Sequence, residues 1–259
     1  MRDFRPVDFG RAAGHPCCVP SAEVASGATY QSAERVLALL TSFDESRAEL
    51  GVTEMAQSLG VHKSTASRLA AALQRAGLLT RAGRRFRLGP EVIRLGTLAL
   101  RNLDLVTMMQ PAMDKLSQQT GETVNLAVPY GANILNVAEV PSTYILSSSG
   151  GWIGRLTKPH AVANGKVLLA YGVIPVPREL ERYTDHTITS HEALAAELAA
   201  VRRDGYAKAV AELEDELVAV AAPVFDAAGT CIGALSISGP GYRMQPEALD
   251  DLGKLCTTS

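Results

Sequence analysis

At 259 residues the chain can hold two ordinary domains, and 47% apolar residues are enough to fill their cores. A net charge of −2 excludes a uniformly basic protein, and no run approaches the ~20 apolar residues of a membrane span. Met1 to Pro20 interleaves Arg and Asp without an apolar core, so it does not read as a signal peptide, and a cytoplasmic protein is expected.

Residues 1–28 are rich in Gly, Pro, Ala and Ser without periodicity and predict a disordered tail. Ala33, Val36, Leu37, Leu40 and Phe43 then recur at helical spacing, with Ser32 as the candidate N-cap. Thr53 is placed to cap a second helix, Glu54 to Leu59, which Gly60 ends. Lys63 to Ala76 predicts a third, with Ala66, Leu69, Ala70 and Leu73 on its apolar side and Lys63, Ser64, Ser67, Arg68 and Arg75 opposite. Two short strands, Leu78 to Thr80 and Phe86 to Leu88, flank the basic turn Arg81 to Arg85. Pro90 opens a further helix, and another spans Asp104 to Thr120 with a bend or break at Pro111.

From Glu122 the pattern is mixed. Thr123–Val128 and Ile134–Val140 predict one hairpin, Leu217–Phe225 and Cys231–Ser238 a second, and Val162–Tyr171 and His191–Asp204 predict helices. Helices covering an antiparallel sheet make an α+β layer.

Charge is distributed unevenly. Thr29 to Leu100 carries ten Lys/Arg against six Asp/Glu, whereas Arg101 to Ser259 carries twelve against eighteen. His62 to Pro90 contains seven basic residues and no acid, which points to a polyanion. Two short helices joined by a tight turn, the second carrying hydroxyls and cations at its start, form a helix-turn-helix, and the basic hairpin behind them is its wing. Major-groove readout needs short donors on a helix with an apolar back. The candidate DNA contacts are therefore His62, Lys63, Ser64, Thr65, Ser67 and Arg68, with Arg84 and Arg85 at the wing.

Five stretches, SAERVLALL (Ser32–Leu40), LGVHKSTASRL (Leu59–Leu69), GETVNLAV (Gly121–Val128), HAVANGKVLL (His160–Leu169) and AAPVFDAAGTCIGALSISGP (Ala221–Pro240), resemble the IclR-type bacterial transcriptional regulators. The resemblance covers nearly all of residues 30–250 and implies an α+β multidomain chain. A winged helix-turn-helix would span 29–89, a linker helix 90–103, and a GAF-like α/β effector domain with an antiparallel sheet 104–259. It further implies a homodimer or dimer of dimers on a pseudo-palindromic double-stranded operator, acting as a repressor tuned by a small-molecule effector, an organic acid or related metabolite.

The family's ligand position maps onto Ala163, Asn164 and Gly165 at a helix start, Ala219, and Ser236 and Ser238. The two serines are two apart on a strand and so share a face. Lys166 is expected on the helix surface, His160 in a structural role, and Glu212, Glu214, Asp215 and Glu216 in a solvated acidic loop. The chain departs from the family pattern at Glu216 and Ala219, where a Gly and a Cys are frequent. It also departs at Ala209 and Val210, where members that bind small oxo-acids place an acid. A less polar pocket and a bulkier or less highly charged effector are expected. Cys17, Cys18, Cys231 and Cys256 lack ligand spacing, so reduced thiols, no metal and no cofactor are expected. The competing reading is a hydrolytic enzyme built on His160, Lys166 and Asp185, for which no nucleophile elbow or phosphate loop is present in the sequence.

Overall fold

The structure, a computed structural model, describes residues 31–44, 46–101, 103–144 and 151–259. The expected tail over 1–28, with Cys17 and Cys18, lies outside the described residues. The chain divides into two compact units, and the change falls between Thr107 and Met108.

The first unit contains α1 (Gln31–Leu40), α2 (Val52–Ser58), α3 (Lys63–Arg75), the hairpin β1 (Leu79–Ala82) and β2 (Arg85–Leu88), and α4 (Pro90–Arg101). Ala66, Ala70 and Leu73 line one side of α3 and close with Leu39, Met55, Leu79 and Phe86 into a core. Neither expected N-cap is used. Ser32 lies inside α1, and α2 begins at Val52, one residue before Thr53. At α2 the Glu54 carboxylate reaches back instead and accepts the Gly51 amide at 2.6 Å. In the hairpin, Gly83 takes the left-handed φ of +61° that the first turn position requires, so Arg84 sits at the tip. Buried Phe86 exchanges two backbone hydrogen bonds with Leu50, both 2.9 Å, which pins the wing to the helical body.

The second unit is a six-stranded antiparallel sheet in the order β5-β4-β3-β8-β7-β6. Its strands are β3 (Thr123–Tyr130), β4 (Asn133–Val140), β5 (Leu156–Thr157), β6 (Ala207–Val210), β7 (Leu217–Phe225) and β8 (Cys231–Pro240). Both expected hairpins, β3-β4 and β7-β8, are present. The edge strands β5 and β6 are too short to show an alternation, and the sequence pattern missed them. The helices are α5 (Asp104–Thr120), α6 (Ala163–Ala170), α7 (His191–Asp204) and α8 (Leu249–Thr257). α5 continues through Pro111 rather than breaking there. Among the described residues no helix is long and apolar enough to cross a membrane.

Period-two alternation sorts the sheet into two buried faces. Val124, Leu126, Val220 and Ile237 occupy one. The other presents Ala127, Ala207, Ala209, Ala221 and Ala234, small enough for α6 to lie close against it. All eight residues of α6 are buried. Gly165 is required there, because a Cβ would sit 2.2 Å from the Pro159 carbonyl oxygen.

That burial includes Lys166, which corrects its placement on the helix surface. Its ammonium donates to Glu212 at 2.6 Å, to the Lys208 carbonyl at 2.8 Å and to Glu197 at 3.1 Å. Glu212 is likewise buried rather than solvated, whereas Glu214, Asp215 and Glu216 are exposed as expected. The cause is local backbone. Ala211 adopts a φ of +54°, the only left-handed non-glycine among the described residues, and turns Glu212 inward. Thr184 and Thr187 hold that turn by donating to the carbonyls of Ala211 and Glu212, each at 2.6 Å.

Burial pushes the Glu212 carboxyl above the usual carboxylate range, and the Lys166 ammonium pulls it back. Lys166→Met removes that pull and is expected to cost about 3–5 kcal/mol at neutral pH. A carboxyl whose pKa is raised by folding contributes stability below its unfolded pKa and loses it as pH rises through the folded value. Urea unfolding of Lys166→Met should therefore show a stability deficit that widens from about pH 5 to pH 8. The same pH series on Lys166→Met/Glu212→Leu should lose that widening.

Candidate functional site

On α3, Lys63, Ser64, Ser67 and Arg68 are exposed over the buried Ala66, Ala70 and Leu73, and Thr65 is half-buried. His62 is the N-cap: its Nδ1 accepts the Ser64 amide at 3.3 Å and lies 2.9 Å from the Ser64 hydroxyl. The capping ring thereby orients the first hydroxyl of the helix. Helix N-termini attract anions, and this one projects a lysine and two serines from its first turns.

The two wing arginines separate. Arg84 is exposed at the turn. Arg85 donates to the Glu49 carbonyl and the Glu54 carboxylate, both at 2.7 Å, so it ties β2 to the start of α2. Two partners, the Gly51 amide first and Arg85 second, hold the Glu54 carboxyl below its usual range.

In the second unit the register places Asn125 opposite Ser236, and Ser238 between Thr123 and Ala219. These polar residues share the alanine face, on the same rungs as Ala207, Ala209, Ala219 and Ala221. A cavity of about 40 Å³ lies there, lined by Asn125, Ile134, Asn136, Trp152, Thr157, Val162, Ala163, Asn164, Leu217, Ala219, Ser236 and Ser238. Of the six sequence-derived positions, Ala163, Asn164, Ala219, Ser236 and Ser238 meet at this cavity, while Gly165 packs on Pro159 instead. Asn125, Asn136, Trp152 and Thr157 were missed. Asparagine is disfavoured in strands, so two of them at buried strand positions were the available signal.

The lining is uncharged, and half of its twelve residues are Asn, Ser or Thr. Ala209, read as the cause of lower polarity, belongs instead to the core under α6, and Val210 faces outward. Asn125 donates to the Ser238 hydroxyl at 3.1 Å. Its Oδ1 and that of Asn164 are buried without a hydrogen-bond partner. Val162 caps α6 without a side-chain hydrogen bond, and Ala163 and Asn164 of the first turn line the cavity. Trp152 is held by its amide, which donates to Glu139 at 2.5 Å, and its ring carries the Arg155 guanidinium at 4.4 Å.

His160 and Lys166 are engaged elsewhere. His160 is fully buried with Nε2 2.8 Å from the Glu181 carbonyl oxygen, and Asp185 is exposed. Among the described residues no three His, Cys, Asp or Glu side chains cluster as metal ligands. Cys231 and Cys256 are buried free thiols, raised in pKa by that burial.

Two family descriptions match the chain: the IclR helix-turn-helix domain over residues 32–83 and the bacterial transcriptional regulator IclR C-terminal domain over 97–258. The chain belongs to the IclR family of bacterial transcriptional regulators. It is 35% identical to the HTH-type transcriptional regulator KdgR of Escherichia coli, covering 86% of this chain and 87% of that one. It is 30% identical to the transcriptional repressor IclR of the same organism, covering 87% and 85%. The solved structure of an IclR homologue from Microbacterium hydrocarbonoxydans, complexed with 4-hydroxybenzoate, superposes with a TM-score of 0.69 at 26% identity, covering 88% of this chain and 98% of that one. The protein is a DNA-binding transcription regulator and not an enzyme. Its helix-turn-helix is the DNA-binding element, and its C-terminal domain is of the effector-binding type.

The split between the two arginines is open to test in this regulator. Arg85→Met should lower the melting temperature followed by far-ultraviolet circular dichroism, because β2 loses its tie to α2. Arg84→Met should leave it unchanged.

Proposed function

We propose that this chain is a cytoplasmic repressor whose grip on a pseudo-palindromic operator is set by a small organic metabolite in the cavity between α6 and the sheet. The observation that carries the DNA half is the exposed face of α3, where Lys63, Ser64, Ser67 and Arg68 stand over an apolar back with Arg84 at the adjacent wing tip. Hydroxyls and a guanidinium at the start of such a helix suit base edges, and the remaining cations suit phosphates. The cavity's unpaired carboxamide oxygens support the effector half. A relative of known repressor name and a structural relative that holds 4-hydroxybenzoate agree with that reading.

The exposure of α4 supports a homodimer. None of its residues is buried, and the adjacent Leu95 and Leu98 are 46% and 44% exposed. A second copy covering them would set two α3 helices on successive major grooves, which is why the operator should have two-fold symmetry. Residues 29–89 would form the DNA-binding part, 90–103 the linker and 104–259 the effector-binding part. Effector bound in the last would weaken operator binding by the first.

Mobility-shift titration on the promoter region beside the chain's own gene tests the reading. Specific binding should persist near physiological salt, whereas purely non-specific binding that collapses with salt would refute it. Within that assay Arg68→Ala should cost about 1–3 kcal/mol, concentrated at one base-pair position. Arg84→Met should weaken all sequences alike and reduce the salt slope by about one.

A further inference from the structure

The cavity's hydrogen-bonding pattern specifies its ligand further than "small organic metabolite". Asn125 and Asn164 are only 4% and 7% exposed, both line the cavity, and each keeps an Oδ1 that no protein group reaches. Buried polar atoms are nearly always paired, so two orphans in one cavity, one on the sheet and one on α6, call for a ligand that donates to both.

An ionised carboxylate accepts hydrogen bonds and donates none. Placed here it would face two carboxamide oxygens. No lining residue carries a charge, so the start of α6 alone would set its attraction for an anion against that repulsion. Lys166, two residues beyond Asn164, is 1% exposed, and its ammonium is held by Glu212, Glu197 and the Lys208 carbonyl. The Arg155 guanidinium lies on the Trp152 ring and is not part of the lining. A hydroxyl group, in contrast, both donates and accepts. It satisfies either end of a carboxamide, and it also suits the Ser236 and Ser238 hydroxyls and the amides at the start of α6.

We propose that the effector is an uncharged polyhydroxy compound, a small polyol or sugar, whose hydroxyls donate to Asn125 and Asn164. This rests on the regulator reading above and narrows it, replacing the organic acid expected from the family resemblance.

Trp152 is the sole tryptophan of the chain and stands in the cavity wall, so its emission reports on the site in the full-length protein. The experiment titrates glycerol, erythritol and xylose against their acid counterparts of equal chain length, glycerate, erythronate and xylonate, with pyruvate and 4-hydroxybenzoate added. Emission and melting temperature are both followed. At least one neutral compound should shift both and bind about 10-fold more tightly than its acid. Asn164→Leu, which removes an unpaired carboxamide, should keep or raise the ligand-free melting temperature and abolish the response. Asn164→Asp, which keeps the size and adds a charge, should weaken it by at least about 10-fold. An acid that binds more tightly than its neutral partner overturns the proposal, as does the absence of any neutral response up to about 10 mM. So does a neutral response that Asn164→Leu leaves intact. The two readings fail separately. If an acid wins and alters operator affinity, the ligand class falls and the regulator reading stands. If a neutral compound binds through Asn164 but operator affinity is unmoved, the class stands and the effector reading falls.

Discussion

A single buried ammonium holds the effector unit together. Lys166 projects from the middle of α6 and reaches α7 through Glu197, β6 through the Lys208 carbonyl and the β6–β7 turn through Glu212. Taking such a charge out of water is costly unless every donor is met, and here all three N–H groups are. The cost is also structural, because Ala211 accepts a left-handed backbone to bring Glu212 within 2.6 Å. What this arrangement secures is the position of the helix start. With Lys166 fixed and Gly165 seated on Pro159, Ala163 and Asn164 are held at the cavity.

The sheet answers that constraint residue by residue. Alanines at 127, 207, 209, 221 and 234 let α6 approach, and the same face carries Asn125, Ser236 and Ser238 on β3 and β8. Close packing and hydrogen-bonding groups thus share one surface. The cavity lies where those polar side chains meet Ala163 and Asn164 at the start of α6. The DNA-contacting unit shows a related economy of roles. Arg85 stabilises the wing from within, and Arg84, one residue earlier, is presented at its tip.

Much of this was legible in the sequence. Helical spacing in α3 and the acid-free basic stretch from His62 to Pro90 identified the helix-turn-helix, because both are local signals. The alternation in β8 put Ser236 and Ser238 on one face before any packing was known. What stayed hidden depends on partners far apart in the chain. Lys166 and Glu212 are 46 residues apart, and Asn125 and Ser238 are 113 apart. No periodicity reports such pairs. An acidic run containing Glu212 looks solvated until the backbone at Ala211 turns one member inward. The N-cap expected at α2 failed for a smaller reason: the helix starts one residue earlier, with Gly51 as its cap and the Glu54 carboxylate on the Gly51 amide, so Thr53 lies inside the first turn.

In the regulator as proposed, cavity and operator share one free-energy coupling. Linkage requires that a compound which alters operator affinity by some factor have its own affinity altered by the same factor when operator is bound. The most direct measurement pairs two titrations on the full-length protein. Operator affinity is read by fluorescence anisotropy with and without the tightest-binding compound of the polyol and acid series. That compound's affinity is read by Trp152 emission with and without saturating operator. The account expects equal factors in the two titrations, about 5- to 150-fold, with ligand and operator each weakening the other. A compound that binds at Trp152 while both factors stay at one would contradict it.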